Sequence, residues 1–208
     1  MINRTHQFDG VARCARALLL ALAVSSTGCA TYAGSARSAQ PALIAREGGW
    51  LMVPEFPLVR QEKSDDCGAA ALAAVLRFWG RSATPRSIET AIGHTSNRLL
   101  AGDMVEYARK QGLHSYVFFG NVADIVHELE RGRPVIVGLG KAFEANKALA
   151  HYEVVVGYQP KQERVLMLDP GSGWQVDNLK GFTEEWARSK GVTIVTFLPP
   201  PDARLSGK

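Results

Sequence analysis

The chain has 208 residues, of which 46% are hydrophobic and 21% are charged, with 20 Gly and 10 Pro. This is the composition of a globular protein, and it excludes a disordered chain, a collagen and a small disulfide-stapled scaffold. The formal charge is +4 and basic residues never cluster in a run of five, so the sequence offers no basis for nucleic-acid binding. The length fits one folded domain with an appendage.

Residues 1–28 have the organisation of a secretory signal. Three arginines precede an apolar run over 17–24 that is too short to span a bilayer, and small residues follow it. The last residues before Cys29 resemble the lipobox of bacterial lipoproteins, where the signal is cut before a cysteine that is then lipidated. Ala30 is not the Asp that resembles an inner-membrane retention signal, so we expect a periplasm-facing lipid anchor in the outer membrane. The alternative is an ordinary signal of a soluble periplasmic or secreted protein.

Residues 29–49 are predicted to form a flexible tether. The segment is rich in Ala, Ser and Gly and has no apolar periodicity. A chain of this kind reaches about 20–25 Å on average, enough to hold a domain clear of a membrane surface. The folded domain is then expected to occupy residues 50–208, beginning near Trp50.

The first half of this domain is predicted to be mainly helical. The segment 67–79 is Ala-rich and apolar on nearly every side, which indicates a helix buried all round. Thr84-Pro85 has the order of an N-cap and first helical residue, and Asn121 is a second N-cap. We therefore expect four helices, in the ranges 67–79, from 84, 103–111 and 121–131, with a strand at 114–119 between the last two.

The second half is predicted to be mainly strands rich in Val, Ile and Leu. They fall at 134–139, 151–158, 164–169 and 193–198, with a hairpin corner at 157–161 and a short helix at 183–190. Helices followed by strands joined through short loops indicate an α+β domain with an antiparallel sheet.

Two connections leave alternatives open. Trp174, after the turn residues Gly171-Ser172-Gly173, either places an aromatic side chain at the rim of a cleft or simply packs on a turn. The polar connection 141–149 is either a mobile flap over a cleft or an ordinary surface loop.

The three cysteines provide the first chemical signal. Cys14 leaves with the signal and Cys29 becomes a thioether if it is lipidated, so Cys67 is the one thiol left and no intramolecular disulfide can form. A lone thiol in an oxidising compartment is expected either to be buried or to take part in the chemistry of the protein.

Cys67 is predicted to lie in the first turn of a helix. There the unpaired backbone N–H groups and the helix dipole favour a thiolate and can bind an oxyanion. Gly68 would leave room for a substrate backbone. Asp65 and Asp66 are suitable caps, but their charges would oppose the thiolate if they faced the sulfur.

A cysteine nucleophile also needs a base and a group that orients the base. His151, at the start of a strand, is the candidate base; His94, His114 and His127 fit surface or half-buried positions. Asp169 ends the next strand and Glu153 lies on the same sheet face as His151, so either could orient the imidazole. We favour Asp169, since cross-strand neighbours approach more closely than side chains two apart on one strand.

The segment Gln61-Glu62-Lys63-Ser64-Asp65-Asp66-Cys67-Gly68-Ala69-Ala70-Ala71-Leu72 resembles the active-site opening of the bacteriocin-processing, double-glycine cysteine peptidases, cysteine peptidase family thirty-nine. The later His151-Tyr152-Glu153-Val154-Val155-Val156-Gly157-Tyr158 and Asp169-Pro170 match that pattern in order. The resemblance covers about residues 56–198 and implies a papain-like fold with no cofactor and no metal. It implies that Cys67 is the nucleophile, His151 the base, Asp169 its orienting partner and Gln61 an oxyanion donor. Gln61 is nominated by the resemblance alone.

The best-known members of that family are amino-terminal domains of ATP-driven exporters that clip leader peptides after Gly-Gly. This sequence contains no phosphate-binding loop and so no ATP-binding domain is expected in it. We therefore expect a thiol peptidase acting on a peptide or protein, without carrying over the Gly-Gly specificity. The alternatives are a papain-like acyltransferase, a cell-wall amidase of the NlpC type, and a non-catalytic lipoprotein that binds peptides.

Overall fold

The structure is a computed structural model that describes residues 31–93, 99–143 and 147–200. The predicted signal, Cys14, Cys29 and His94 lie outside these residues. Among the residues described, none of the helices combines the length and the hydropathy needed to cross a bilayer.

Helices and strands alternate unevenly along the chain, with most helices in the first half. The helices are α1 Pro41–Ile44, α2 Cys67–Phe78, α3 Pro85–Ile92, α4 Ala101–Lys110, α5 Val122–Glu130 and α6 Leu179–Ala187. The strands are β1 Arg37–Ser38, β2 Leu51–Met52, β3 His114–Phe119, β4 Val135–Phe143, β5 Lys147–Gln159, β6 Arg164–Asp169, β7 Gly173–Asn178 and β8 Val192–Phe197.

The strands form one antiparallel sheet in the order β1-β7-β6-β5-β4-β8-β3, and β2 pairs with β5 beside this path. The central strands β4 and β5 are paired from Val135↔Val155 to Phe143↔Lys147. The residues near the base of this hairpin, including Val135, Val137 and Val155, are buried in the core. The predicted α+β fold with an antiparallel sheet is confirmed.

Helix α2 is the centre of the core. Every residue from Cys67 to Leu76 is buried, and the helix packs on β5, α3 and α4. Its alanines have small side chains that let neighbouring elements approach from all sides. Because the helix is then surrounded by other elements, the segment has no polar face. The predicted buried helix over 67–79 is therefore confirmed, ending one residue early at Phe78.

The predicted N-caps also form. The Thr84 side chain accepts the Ser87 amide and Asn121 accepts the amides of Ala123 and Asp124, each within a capping box. Such caps satisfy amide groups that the helix leaves unpaired, and this local signal needs no tertiary information.

The structure differs from the predicted tether. Within 31–49, strand β1 pairs with β7, α1 buries Ile44 in the core, and the Ala33 amide donates to Ala142 O at 2.9 Å. The residues from Tyr32 to Ile44 therefore pack on the domain that was predicted to begin near Trp50. Short side chains allow this segment to lie flat on the sheet edge, so its composition alone did not distinguish docking from disorder.

Differences in the second half concern boundaries and one missed strand. The turn residues before Trp174 lead directly into β7, which the sequence analysis did not predict. The hairpin corner follows Gln159 instead of starting at Gly157, because β5 stays paired with β6 up to Gln159↔Arg164. The connection predicted over 141–149 is largely strand, as β4 and β5 extend to Phe143 and from Lys147. Helix α6 begins at Leu179, four residues before the predicted start.

Candidate active site

Cys67 is the first residue of α2, a free thiol that is only 7% exposed. Burial opposes ionisation of this thiol, but a hydrogen bond with His151 and the charge of that imidazole favour it. The backbone N–H groups of Tyr152 and Gly68 also donate to the sulfur. Together these groups outweigh burial and lower the pKa of Cys67, so the thiolate is favoured at the helix start.

His151 lies between Cys67 and Asp169. Its Nε2 is 2.8 Å from Asp169 Oδ1, which leaves Nδ1 for the hydrogen bond with Cys67. Burial opposes protonation of the imidazole, but the hydrogen bonds to Asp169 and Cys67 outweigh burial and raise the pKa of His151 to about 10. An imidazolium paired with a thiolate is the expected resting state.

Asp169 is fixed at the end of β6. Its Oδ1 accepts the Gly171 amide at 2.7 Å as well as the His151 ring. Burial alone would raise the pKa of this carboxyl, yet the bond and charge of His151 and the loop amides hold it well below its usual range. Asp169 is therefore a carboxylate that orients the imidazole and stabilises its positive charge.

Glu153, the other acceptor considered from the sequence, has a different partner. It is fully buried, and its Oε1 lies 2.7 Å from Lys141 Nζ, which is 3.3 Å from Glu185 Oε2. Burial raises the pKa of Glu153 against the opposing charge of Lys141. Glu153 thus belongs to a buried cluster of one cation and two carboxyls behind His151.

Gln61 lies beside the same loop as Asp169. Its backbone amide donates to Pro170 O at 3.0 Å, and its side chain contributes to the cleft wall next to His151. The Gln61 Oε1 atom is buried and has no hydrogen-bond partner among the described residues. This oxygen can only accept a hydrogen bond, so an oxyanion in the cleft would have to be bound by the NH2 group of the same side chain.

Two details differ from the sequence analysis at the helix start. Gly68 does not leave space for a substrate, because a Cβ there would be 3.2 Å from Tyr152 Cδ2 and 3.5 Å from Met104 Sδ. Asp66 occupies the N-cap position without capping the helix, since its carboxylate accepts the Glu62 amide at 3.0 Å. Both residues instead fix the path of the chain leading into α2.

The remaining candidates lie away from the site. His114 and His127 are exposed on β3 and α5. Trp174 packs edge-on against Phe56, with ring centroids 6.5 Å apart, and lines a separate cavity. The packing interpretation of Trp174 is therefore the one that the structure supports.

The donor atoms of His151, Glu153 and Asp169 lie within 4.8 Å of one another, a spacing that could hold a cation. Lys141 already places an ammonium group against Glu153, and Asp169 Oδ1 is engaged by His151 and Gly171. These side chains therefore satisfy one another's charges.

A buried thiol at a helix start, facing a histidine and an aspartate on an antiparallel sheet, places the protein in the papain-like structural class. The model of the Peptidase_C39 like family matches residues 53–194. The chain belongs to this family, as the sequence resemblance predicted.

Solved structures with the same fold are peptidase domains. The peptidase domain of Streptococcus ComA, a bi-functional ABC transporter involved in quorum sensing, is 23% identical with a TM-score of 0.58, covering 70% of this chain and 100% of that one. A putative C39-like peptidase from Bacillus anthracis is 15% identical with a TM-score of 0.59, covering 74% and 100%. A double-glycine motif protease from an AMS/PCAT transporter, in complex with the leader peptide, is 20% identical with a TM-score of 0.57, covering 71% and 94%. No curated protein matches the chain.

Three residues of the site were not predicted from the sequence. Lys141 pairs with both Glu153 on the neighbouring strand and Glu185 on α6. Tyr32 lines the cleft from the segment that was predicted to be a tether. Only the presence of a Lys and a Glu within otherwise apolar strands signals the buried cluster, since such groups are buried only when paired.

Proposed function

We propose that the protein is a cysteine peptidase that hydrolyses peptide bonds. The observation that carries the proposal is the continuous hydrogen-bonded series from the Cys67 thiol through His151 to the Asp169 carboxylate. A merely structural buried cysteine needs neither the imidazole nor the converging amides of Tyr152 and Gly68.

In the reaction, the Cys67 thiolate attacks the carbonyl carbon of the scissile bond. The negative charge that develops on the carbonyl oxygen is bound by the Cys67 backbone N–H and the Gln61 side-chain amide. His151 then donates its proton to the leaving amine, and a thioester to Cys67 remains. Water, deprotonated by His151, hydrolyses the thioester and restores the thiolate, while Asp169 holds the imidazole in place throughout.

The substrate class that we infer is a peptide or protein. This inference rests on family membership and on the structural relative that was solved with a leader peptide. Conversion of the thioester by an amine instead of water would give the acyltransferase outcome, and the same intermediate serves both reactions.

We also propose that Cys29 is lipidated and anchors the domain to the outer membrane, facing the periplasm. The support is the lipobox-like sequence before Cys29. Metabolic labelling with a fatty-acid analogue should modify the wild-type chain and not a Cys29→Ala variant. Labelling that persists in the variant would contradict this anchor.

Thiol reactivity provides the first test of catalysis. Iodoacetamide at neutral pH should modify Cys67 stoichiometrically in the full chain, and His151→Ala should slow this modification strongly. His127→Ala, which removes an exposed histidine far from the thiol, is the matched control and should leave the rate unchanged. A thiol in the native protein that resists modification would contradict the nucleophile assignment.

Digestion of a peptide library by the full chain tests the reaction itself. New amino termini should appear with the wild type and should be absent with Cys67→Ala. A library left equally intact by both proteins, together with a reactive thiol, would favour the peptide-binding or transferase alternatives over the peptidase.

A further inference from the structure

A cavity of about 340 Å³ lies beside His151, and much of its wall is apolar. Tyr32 and Ala36 come from the N-terminal segment, whereas Phe143 and Leu149 come from the two strands of the β4–β5 hairpin. The volume is at the low end for ligand pockets and suits a single large side chain. Because the family match starts at residue 53, the part of the wall containing Tyr32 lies outside the matched region.

This wall is fixed in place. The Tyr32 ring packs edge-on against Phe143 with centroids 5.8 Å apart, and Ala33 N donates to Ala142 O at 2.9 Å. Tyr32 also folds over Gly34, where a Cβ would come within 2.1 Å of the tyrosine hydroxyl. The Ser35 hydroxyl donates to Asp177 and ties the segment to β7. The part of the cavity wall that contains Tyr32 is therefore already ordered before a ligand binds.

The charge at the base of the cavity is compensated. The Lys141 ammonium lies 4.6 Å from the Tyr32 ring centroid and pairs with both Glu153 and Glu185. One cation with two carboxyls provides no free positive charge for an acidic side chain. The lining thus favours an apolar side chain over an anionic one.

The position of the cavity relative to Cys67 and His151 decides which residue of a peptide substrate it can bind. His151 must reach the leaving amine to protonate it, so the residue carrying that nitrogen lies against His151. His151 and Asp169 line the cavity, whereas Cys67 is not among its lining residues. The cavity therefore lies on the leaving-group side of the scissile bond.

We propose that Tyr32, Phe143 and Leu149 form a specificity pocket for a large apolar side chain on the first residue after the cleaved bond. The proposal rests on the peptidase function proposed above and adds a preference to it. One methylene more or less in a hydrophobic pocket already gives discrimination of about 10–200-fold. Phe or Leu at this position should accordingly exceed Gly or Asp by at least about tenfold in kcat/KM.

The test uses quenched fluorescent peptides built on a sequence that the full chain cleaves, varied after the cleaved bond to Phe, Leu, Gly, Asp and Lys. Leu149→Asp is the main variant, because Leu149 is 47% exposed and tolerates a polar group. It should reduce the Phe-to-Gly ratio to less than about threefold and increase the relative rate for Lys. Leu43→Asp changes a leucine of α1 that is 52% exposed and lies outside this cavity, so it should keep the wild-type ratios.

Tyr32→Ala and Tyr32→Phe provide an independent check from the other wall. The alanine variant should lose the preference and the phenylalanine variant should keep it, since Phe retains the ring that faces the cavity. If the wild type cleaves all peptides of the series at similar rates, or if Leu149→Asp keeps the wild-type ratios, the pocket assignment is overturned and the peptidase proposal stands. If the full chain cleaves no sequence on which the series could be built, the peptidase proposal fails and the pocket assignment fails with it.

Discussion

Replacing Lys141 with Met should strongly destabilise the protein, although Met fills a similar volume. Lys141 is 6% exposed, and its ammonium is the shared partner of Glu153 at 2.7 Å and Glu185 at 3.3 Å. Both carboxyls are buried, at 0% and 3% exposure. Removing one member of a buried ion pair leaves an uncompensated charge and costs about 3–5 kcal/mol. At about 2–4 °C per kcal/mol for a domain of this size, Tm should fall by roughly 6–20 °C.

The loss of stability caused by Lys141→Met should depend on pH in a defined direction. The pKa of Glu153 is already raised by its burial, and loss of the Lys141 charge raises it further. Protonation of Glu153 in the folded variant removes the uncompensated charge. The difference in stability from the wild type should therefore shrink as the pH falls toward about 4.3, the pKa of an unperturbed glutamate, and grow above it.

Thermal unfolding followed by circular dichroism at several pH values measures both effects. The double variant Lys141→Met/Glu153→Gln should recover part of the loss, because it removes one of the stranded charges. Lys63→Met, which breaks a surface ion pair with Glu89, should leave Tm unchanged. A Lys141→Met protein that melts within about 2 °C of the wild type at neutral pH would refute the reasoning.

Four further outcomes concern the site and the N-terminal segment that packs beside it. Because the pKa of the Cys67 thiol is lowered, its alkylation should slow from pH 8 to pH 6 by clearly less than the factor of about 80 expected for a free thiol. Peptide hydrolysis should decline as the pH rises through about 10, where His151 loses its proton. Asp169→Asn should lower kcat by about 10³–10⁴-fold and move that alkaline decline to lower pH; an unmoved decline would argue against its bond to His151. Gly34→Ala should lower Tm because its Cβ has no room, whereas Gly102→Ala on open helix surface should maintain or raise it; equal melting of the two variants would contradict this packing.

Local signals predicted much of the helical half. The Thr84 and Asn121 caps and the apolar run of α2 are properties of a few adjacent residues, and each appears where the sequence places it. Strand β7 was missed because Gly173 and its polar residues, including the buried Asp177, are typical of a turn. Its strand character comes from pairing with β6, which no local pattern shows.

The triad was easier to anticipate than its surroundings. Cys67 before an Ala-rich helix and His151 at a strand start are visible in sequence, and the expected strand pairing favours Asp169 over Glu153. The family pattern alone adds Gln61. The Lys141 cluster could not be predicted, since its three members come from β4, β5 and α6 and meet only through the sheet register and the packing of that helix.

The docking of Tyr32 also limits where a substrate can be found. Tyr32 follows Cys29 by three residues, and an extended chain spans at most about 3.3–3.6 Å per residue, so their Cα atoms are within about 11 Å of each other. With Cys29 acylated as proposed, the cleft wall at Tyr32 is held within about 11 Å of the acylated residue, not at the end of a flexible tether that reaches about 20–25 Å. Such an enzyme would meet chains that emerge from, or lie along, the bilayer before it meets peptides diffusing in the surrounding compartment.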